Sequence, residues 1–140
     1  MKTYPFNAII AGDVFHAEYL NYKSALKKHY FYCVYSQVED KNNALVEDIV
    51  GLMISTNDKF EKLSEQGMND YNVEVEINGK KAWVCSDKVY RFSLQDSTIK
   101  LQKKVSVIIP KNVQDDIVSK FSRFYLEATR QMLENVNKHN

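Results

Sequence analysis

The hydrophobic and polar positions of this chain change period several times, and each change marks an element. The clearest is Asn72-Val73-Glu74-Val75-Glu76-Ile77, which alternates at every residue and is followed by Asn78-Gly79 and then Lys80-Lys81-Ala82-Trp83-Val84-Cys85. Alternation is the period of a half-buried strand, and Asn-Gly is the pair that tolerates positive φ at both centres of a tight turn, so these stretches predict a hairpin. Ile49, Val50, Leu52, Met53 and Ile54 form a nearly continuous apolar run instead, which predicts a strand buried on both faces. Ser55-Thr56-Asn57-Asp58 breaks that run. Phe60 and Leu63 then recur at helical spacing up to Gly67, predicting a short helix whose free N–H groups the small polar residues could cap.

Earlier in the chain, Gly12-Asp13 reads as a turn into a first strand, with Val14 and His16 on one face and Phe15 and Ala17 on the other. Leu20 to Lys28 is polar and cationic and reads as a loop, with a helical turn at Ser24-Ala25-Leu26; it delivers Lys27-Lys28-His29 to the next strand. That strand, Tyr30-Phe31-Tyr32-Cys33-Val34-Tyr35, is dense in rings that suit a pleated surface. Asp40-Lys41-Asn42-Asn43 is a turn signal. Beyond the hairpin, Ser86-Asp87-Lys88 reads as a turn into a strand over Val89 to Leu94, and Lys104 to Ile108 as a further short strand. Val113, Ile117, Phe121, Phe124, Ala128, Met132 and Val136 recur at helical steps, predicting a long amphipathic C-terminal helix with Pro110 before it and Asn112 as its cap. Several short strands and one terminal helix predict an α+β domain, a small, strongly curved antiparallel sheet or barrel closed by the helix. The wide aromatic stripe of that helix must bury against the sheet or a partner subunit.

Length and composition add limits to this picture. At 140 residues, 44% hydrophobic and 26% charged, the chain is expected to be one folded domain with a core of its own. The N-terminal Met1-Lys2-Thr3-Tyr4-Pro5-Phe6 has no apolar stretch of signal-peptide length and no run approaches a membrane span, so the expected location is cytoplasmic with no membrane contact. Cys33 and Cys85 sit in strand-like apolar contexts without CxxC or Cys/His spacing, which reads as a reduced pair of core residues. The net charge is +1, yet Lys80, Lys81, Lys88, Arg91, Lys100, Lys103 and Lys104 face only Asp87 and Asp96 in their stretch, while acids gather at Glu39-Asp40 and Glu47-Asp48. This segregation permits a basic face on a neutral protein, although lysines alternating on strands are equally the solvated side of a sheet.

Familiar motifs narrow the chemistry by their absence: the sequence has no Gly-rich phosphate loop, HExxH or paired-His metal spacing, and no cofactor or metal is expected. His139 lies in the tail, and His16, inside a strand, reads as a packed histidine. The remaining polar residues at strand ends are Lys28, His29, Ser55, Thr56, Asp58 and Asp87.

Four features, in order, resemble the MazF/PemK-like toxins of toxin–antitoxin systems and the related ToxN-like and CptN-like toxins. Gly12-Asp13-Val14-Phe15 with Ala17 is similar to the family's opening strand. A polar loop then leads to a basic residue before the second strand, here Lys28 or His29. Ile49 to Thr56 resembles a third strand ending in adjacent hydroxyl residues. Cys85-Ser86-Asp87-Lys88-Val89-Tyr90-Arg91 is similar to the Asp-x-[Val/Pro]-Arg stretch that precedes short elements and a C-terminal helix. The Gly-Gly-Arg-Pro of typical MazF proteins is replaced by Lys27-Lys28-His29-Tyr30, and the longer helix leans towards the ToxN/CptN-like branch. The resemblance implies an SH3-like, MazF-like fold and a metal-independent endoribonuclease that leaves 2′,3′-cyclic phosphate and 5′-OH ends. It also implies restraint by a small structured RNA antitoxin, with homo- or hetero-oligomers with the antitoxin as a further expectation.

That chemistry needs a base for the 2′-OH, an acid for the leaving oxygen and donors for the phosphorane charge. His29 suits acid or base because its reference pKa is close to working pH. Lys28 offers a fixed charge, Ser55 and Thr56 offer hydroxyl and backbone donors, and Asp87 would orient the base. Contacts to RNA would come from cations interleaved with rings, Tyr22, Lys23, Tyr30, Lys59, Lys80, Lys81, Lys88, Tyr90 and Arg91, with Asp58 as a further RNA-binding candidate. Trp83 is expected in the core. Three other readings stay open: a MazF-type toxin held by a protein antitoxin, a non-catalytic RNA-binding barrel using the basic face, and an interaction subunit assembled through its aromatic helix.

Overall fold

The computed structural model describes residues 9–20, 23, 25–41, 44–67, 71–93 and 99–138. Tyr22, Ser24, the Asn42-Asn43 turn, Leu94 and His139 lie outside the described residues. Six strands and two helices follow in the order β1 (Val14–Leu20), β2 (Leu26–Lys41), β3 (Ala44–Ser55), α1 (Lys59–Glu65), β4 (Asn72–Ile77), β5 (Lys80–Ser93), β6 (Ile99–Val105) and α2 (Lys111–Lys138). The strands form one sheet in the order β4-β5-β3-β2-β1-β6, and every neighbouring pair is antiparallel. The expected α+β class, antiparallel sheet, short helix and long terminal helix are all present. No helix among the described residues is long and apolar enough to cross a membrane.

The sheet is not a closed barrel: β4 and β6 are its two edges. It is nevertheless sharply curved. Phe15 on β1 and Phe92 on β5 have ring centroids 5.6 Å apart, although β2 and β3 lie between them, a separation of roughly 14 Å in a flat sheet. Phe31 fills the middle of the curl, 5.6 Å from Phe15 and 4.8 Å from Phe92. Gly51 makes the approach possible, since a Cβ there would stand 3.0 Å from Phe15 Cζ and 3.1 Å from Phe31 Cβ.

The two faces of the sheet carry separate cores. On one, Val14, Tyr32, Leu52, Ile54, Val75, Ala82 and Val84 pack beneath α2, which contributes Ile117 with Val113 and Phe121. On the other, Ile9, Phe15, Ala17, Phe31, Cys33, Ile49 and Phe92 gather inside the curl. Beside this second cluster, α1 sets Phe60 on Trp83 and Cys85. Trp83 is therefore a core residue, as its apolar neighbours suggested. Both cysteines are buried and neither forms a disulfide.

Local chemistry accounts for most boundaries and corrects several expectations. The Asn78-Gly79 turn has φ of 52° and 78°, the positive values a two-residue hairpin needs. Helix α1 ends at Gly67, φ 69°. Lys27, Lys28 and His29 are not a loop end: they are strand residues, because β1 and β2 pair as far as Leu20↔Leu26. Leu26 therefore belongs to a strand and not to a helical turn. Ser86-Asp87-Lys88 does not turn the chain. Strand β5 runs through it, and the register with β3 jumps from Ile54↔Val84 to Leu52↔Val89, so Cys85 to Lys88 form a wide bulge, a device that bends a sheet without ending a strand. The last strand lies at Ile99–Val105 and not at Lys104 to Ile108. Asn112 is inside α2, not its cap; the Pro110 carbonyl accepts from the N–H groups of Val113 and Gln114, and a proline before the first turn has no N–H of its own to leave unsatisfied.

Candidate functional site

At one end of the sheet, where β2 begins and β3 finishes, the register sets Tyr30 opposite both His16 on β1 and Ile54 on β3. The same end of the sheet receives the tip of the β4–β5 hairpin. Between them lies a cavity of about 580 Å³, with Lys28, His29 and Tyr30 on one wall, Ser55, Thr56 and Asn57 on the next, and Asn78 and Lys80 from the hairpin on the third. His16, Ile54, Ile77 and Ala82 complete it. Three stretches far apart in sequence thus bring cations, hydroxyls, amides and imidazoles to one concave place.

The pleat decides how these groups are divided. Lys28 and His29 are consecutive strand residues, so their side chains leave opposite faces. Lys28 shares a face with His16 and Tyr30, whose rings lie 4.8 Å apart, and its Nζ is 3.4 Å from Glu18 Oε2 across the ladder. His29 instead turns towards Tyr19, with ring centroids 6.2 Å apart. Tyr19 in turn contacts Tyr90 at 5.3 Å. Burial first, then the charges of Lys27, His16 and Lys88, push the His29 pKa below its ordinary value. His29 is therefore a neutral imidazole at neutral pH, able to accept a proton.

The loop after β3 is arranged by its own side chains. The Asn57 N–H donates to Ser55 Oγ at 3.2 Å, and the Lys59 N–H donates to Asn57 Oδ1 at 3.0 Å. Asp58 stands at the N-cap of α1 without a side-chain capping bond. The expected capping role thus belongs to Asn57, while Ser55 Oγ accepts from the Asn57 N–H. Thr56 beside it is exposed.

Of the residues singled out in the sequence, Lys28, His29, Tyr30, Ser55, Thr56 and Lys80 share this cavity. The others among the described residues do not line it. Asp58 and Lys59 follow Asn57 into α1, where the Lys59 ammonium sits 5.0 Å from the Phe60 ring centre and the Lys88 ammonium 5.9 Å. Lys81 is engaged by Glu61 at 2.9 Å and Glu74 at 3.2 Å, and Arg91 by Asp48 at 2.9 Å. Tyr90 belongs to the aromatic curl beside Tyr19. Asp87 is exposed on the β5 bulge, and Lys23 is exposed between β1 and β2.

His16, Asn57 and Asn78 are cavity residues that the sequence reading passed over. Strand alternation placed His16 on the face opposite Phe15, but only the pairing His16↔Tyr30 brings it to the cavity mouth. Asn78 carries a hairpin-turn signal and nothing in its neighbourhood announces that the turn reaches across to β2. Among the described residues, no three His, Cys, Asp or Glu side chains are grouped to hold a metal ion. Comparison with protein-family models, curated proteins and solved structures finds no match to this chain.

Proposed function

We propose that the chain is a metal-independent, sequence-selective endoribonuclease of MazF/PemK-like character, acting as the toxin of a toxin–antitoxin system, with a small structured RNA as its antitoxin. The observation that carries the reading is the single cavity shared by Lys28, His29, Tyr30, Ser55, Thr56 and Lys80. The ordered sequence features from Gly12 to Arg91 agree with it.

In this reading the scissile phosphate rests between the hairpin tip and the β3 terminus. His29, neutral for the reasons above and lining the cavity from the face opposite Lys28, takes the 2′-OH proton as O2′ attacks phosphorus; the bond to O5′ breaks and the departing O5′ takes a proton from water. Lys80 is exposed and supplies positive charge to the non-bridging oxygens. Lys28, half engaged by Glu18, supplies a second cation on the adjacent wall. The Ser55 hydroxyl and the Asn78 amide are donors for charge that develops only in the transition state, each worth roughly 2–4 kcal/mol there by comparison with oxyanion sites. Tyr30 and His16 present flat rings at the same mouth, a platform for an unpaired base. Asp87 has no part in this arrangement, since it does not line the cavity.

The experiment is incubation of the purified chain with single-stranded RNA in EDTA, with the product ends identified. Cleavage leaving 2′,3′-cyclic phosphate and 5′-OH is expected. Products ending in 3′-OH, or an intact substrate, would contradict the proposal.

A further inference from the structure

Helix α2 is 28 residues long, roughly 42 Å, and the sheet uses only its first half. Ile117 is fully buried, with Val113, Phe121 and Phe124 partly so. Its last described anchor is the pair of Glu127 with the Tyr71 hydroxyl, beside the edge-on contact of Tyr71 with Phe124. From Ala128 to Asn135 every residue is exposed. A helix of that length with no packed face is marginal in water, yet this one carries large apolar side chains. Tyr125, Leu126, Met132 and Leu133 are 64%, 68%, 65% and 60% exposed, and Val118 is 46% exposed.

These side chains are ordered along the helix. Val118, Tyr125 and Met132 are seven residues apart, as are Leu126 and Leu133. Ser122 and Thr129 fall at the intervening three- and four-residue steps, so 118–133 reads as an uncharged seam at coiled-coil spacing. The charges lie elsewhere: Asp116, Lys120, Arg123, Glu127, Arg130 and Glu134 project from other sides of the helix by the 3.6-residue period. An uncharged seam does not suit a polyanion, whose binding requires cations in contact. It suits a second helix of the same kind. At about 200 Å² per large side chain, the exposed fractions amount to on the order of 500 Å². Two such faces together would bury on the order of 1,000 Å², the threshold of a specific interface.

We infer that the distal half of α2 is a homodimer interface, in which Tyr125, Leu126, Met132 and Leu133 of one copy pack against the same residues of a second copy of this chain. The interface is independent of the cavity and of what the cavity cleaves.

The test is sedimentation of the full chain across the micromolar range after nuclease treatment, beside the variants Leu126→Glu/Leu133→Glu and Arg130→Glu. The wild type and Arg130→Glu are expected to sediment as dimers, and the double variant as a folded monomer with at least tenfold weaker association. Because the substituted side chains are exposed, circular dichroism should report the sheet intact; Tyr125→Lys/Met132→Lys serves as a second pair if it does not. A monomeric wild type, a dimer that survives both double substitutions, or a dimer lost on nuclease treatment would each overturn the inference.

Discussion

Substituting Gly51 by alanine tests the curvature that builds both cores and the cavity end of the sheet. Gly51 is a β3 residue paired with Cys33 and Tyr90, and it does not have a positive φ. Alanine at a glycine whose backbone it can adopt normally stabilises a protein by about 0.4–1 kcal/mol, by restricting the unfolded chain. Here the added methyl would meet Phe15 Cζ at 3.0 Å and Phe31 Cβ at 3.1 Å. Neither ring can yield easily, because Phe15 is fixed by Phe31 and Phe92 and all three are buried. Overpacking of this kind costs about 1–3 kcal/mol, so the net expectation is destabilisation by about 1–2 kcal/mol. Urea titration should show a lower midpoint at an unchanged slope, the sign that stability and not compactness has moved. Combining Gly51→Ala with Phe15→Leu should recover part of the loss as a coupling energy, since the two sites are in contact. A Gly51→Ala variant as stable as the parent, or more so, would refute the argument that the sheet curls around this ring.

Two further outcomes follow from the shifted groups. His29 has a folded pKa below its unfolded value of about 6.5, so the unfolded chain binds the extra proton first; stability should rise with pH through the interval below 6.5 and be lost as pH falls towards the folded pKa. Cleavage limited by the neutral His29 should likewise hold until the pH drops below about 6.5, with Lys27, Lys88 and His16 as the facing charges, and a half-maximal rate above that pH would contradict the assignment. Burial pushes the Cys85 thiol up to about 11, and Cys33 is buried as well, so neither should react with a thiol reagent at neutral pH until the chain unfolds; rapid labelling of the native protein would count against the core placement of both.

Much of the fold could be read from local chemistry, where one residue pair decides a geometry. Asn78-Gly79 fixed a hairpin whose strands lie at Asn72–Ile77 and from Lys80, as alternation required. The errors arose where local and tertiary signals compete. Lys27 and Lys28 look like a solvated loop, and only pairing with Tyr19 and Glu18 makes them a strand. Ser86-Asp87-Lys88 has turn composition because a bulge and a turn both need residues that leave the ladder; the continuing pairs on both sides make it a bulge. The cavity was half legible. The residues at the β2 start and the β3 end stood out as polar groups at apolar boundaries, but the hairpin tip and His16 reach the site through sheet order, which no local pattern encodes. The adjacency of Lys28 and His29 was misleading in the same way, since the pleat sends them to opposite faces.

We propose phosphodiester cleavage in the cavity at the sheet end. The most direct measurement compares initial rates of RNA cleavage in EDTA for the parent chain and for Lys28→Ala/His29→Ala, with folding verified by thermal melting. Loss of a positioned proton-transfer group is worth about 10²–10⁴-fold, so the double variant should fall at least that far while its melting transition stays cooperative. Full cleavage by a folded Lys28→Ala/His29→Ala chain would contradict the account.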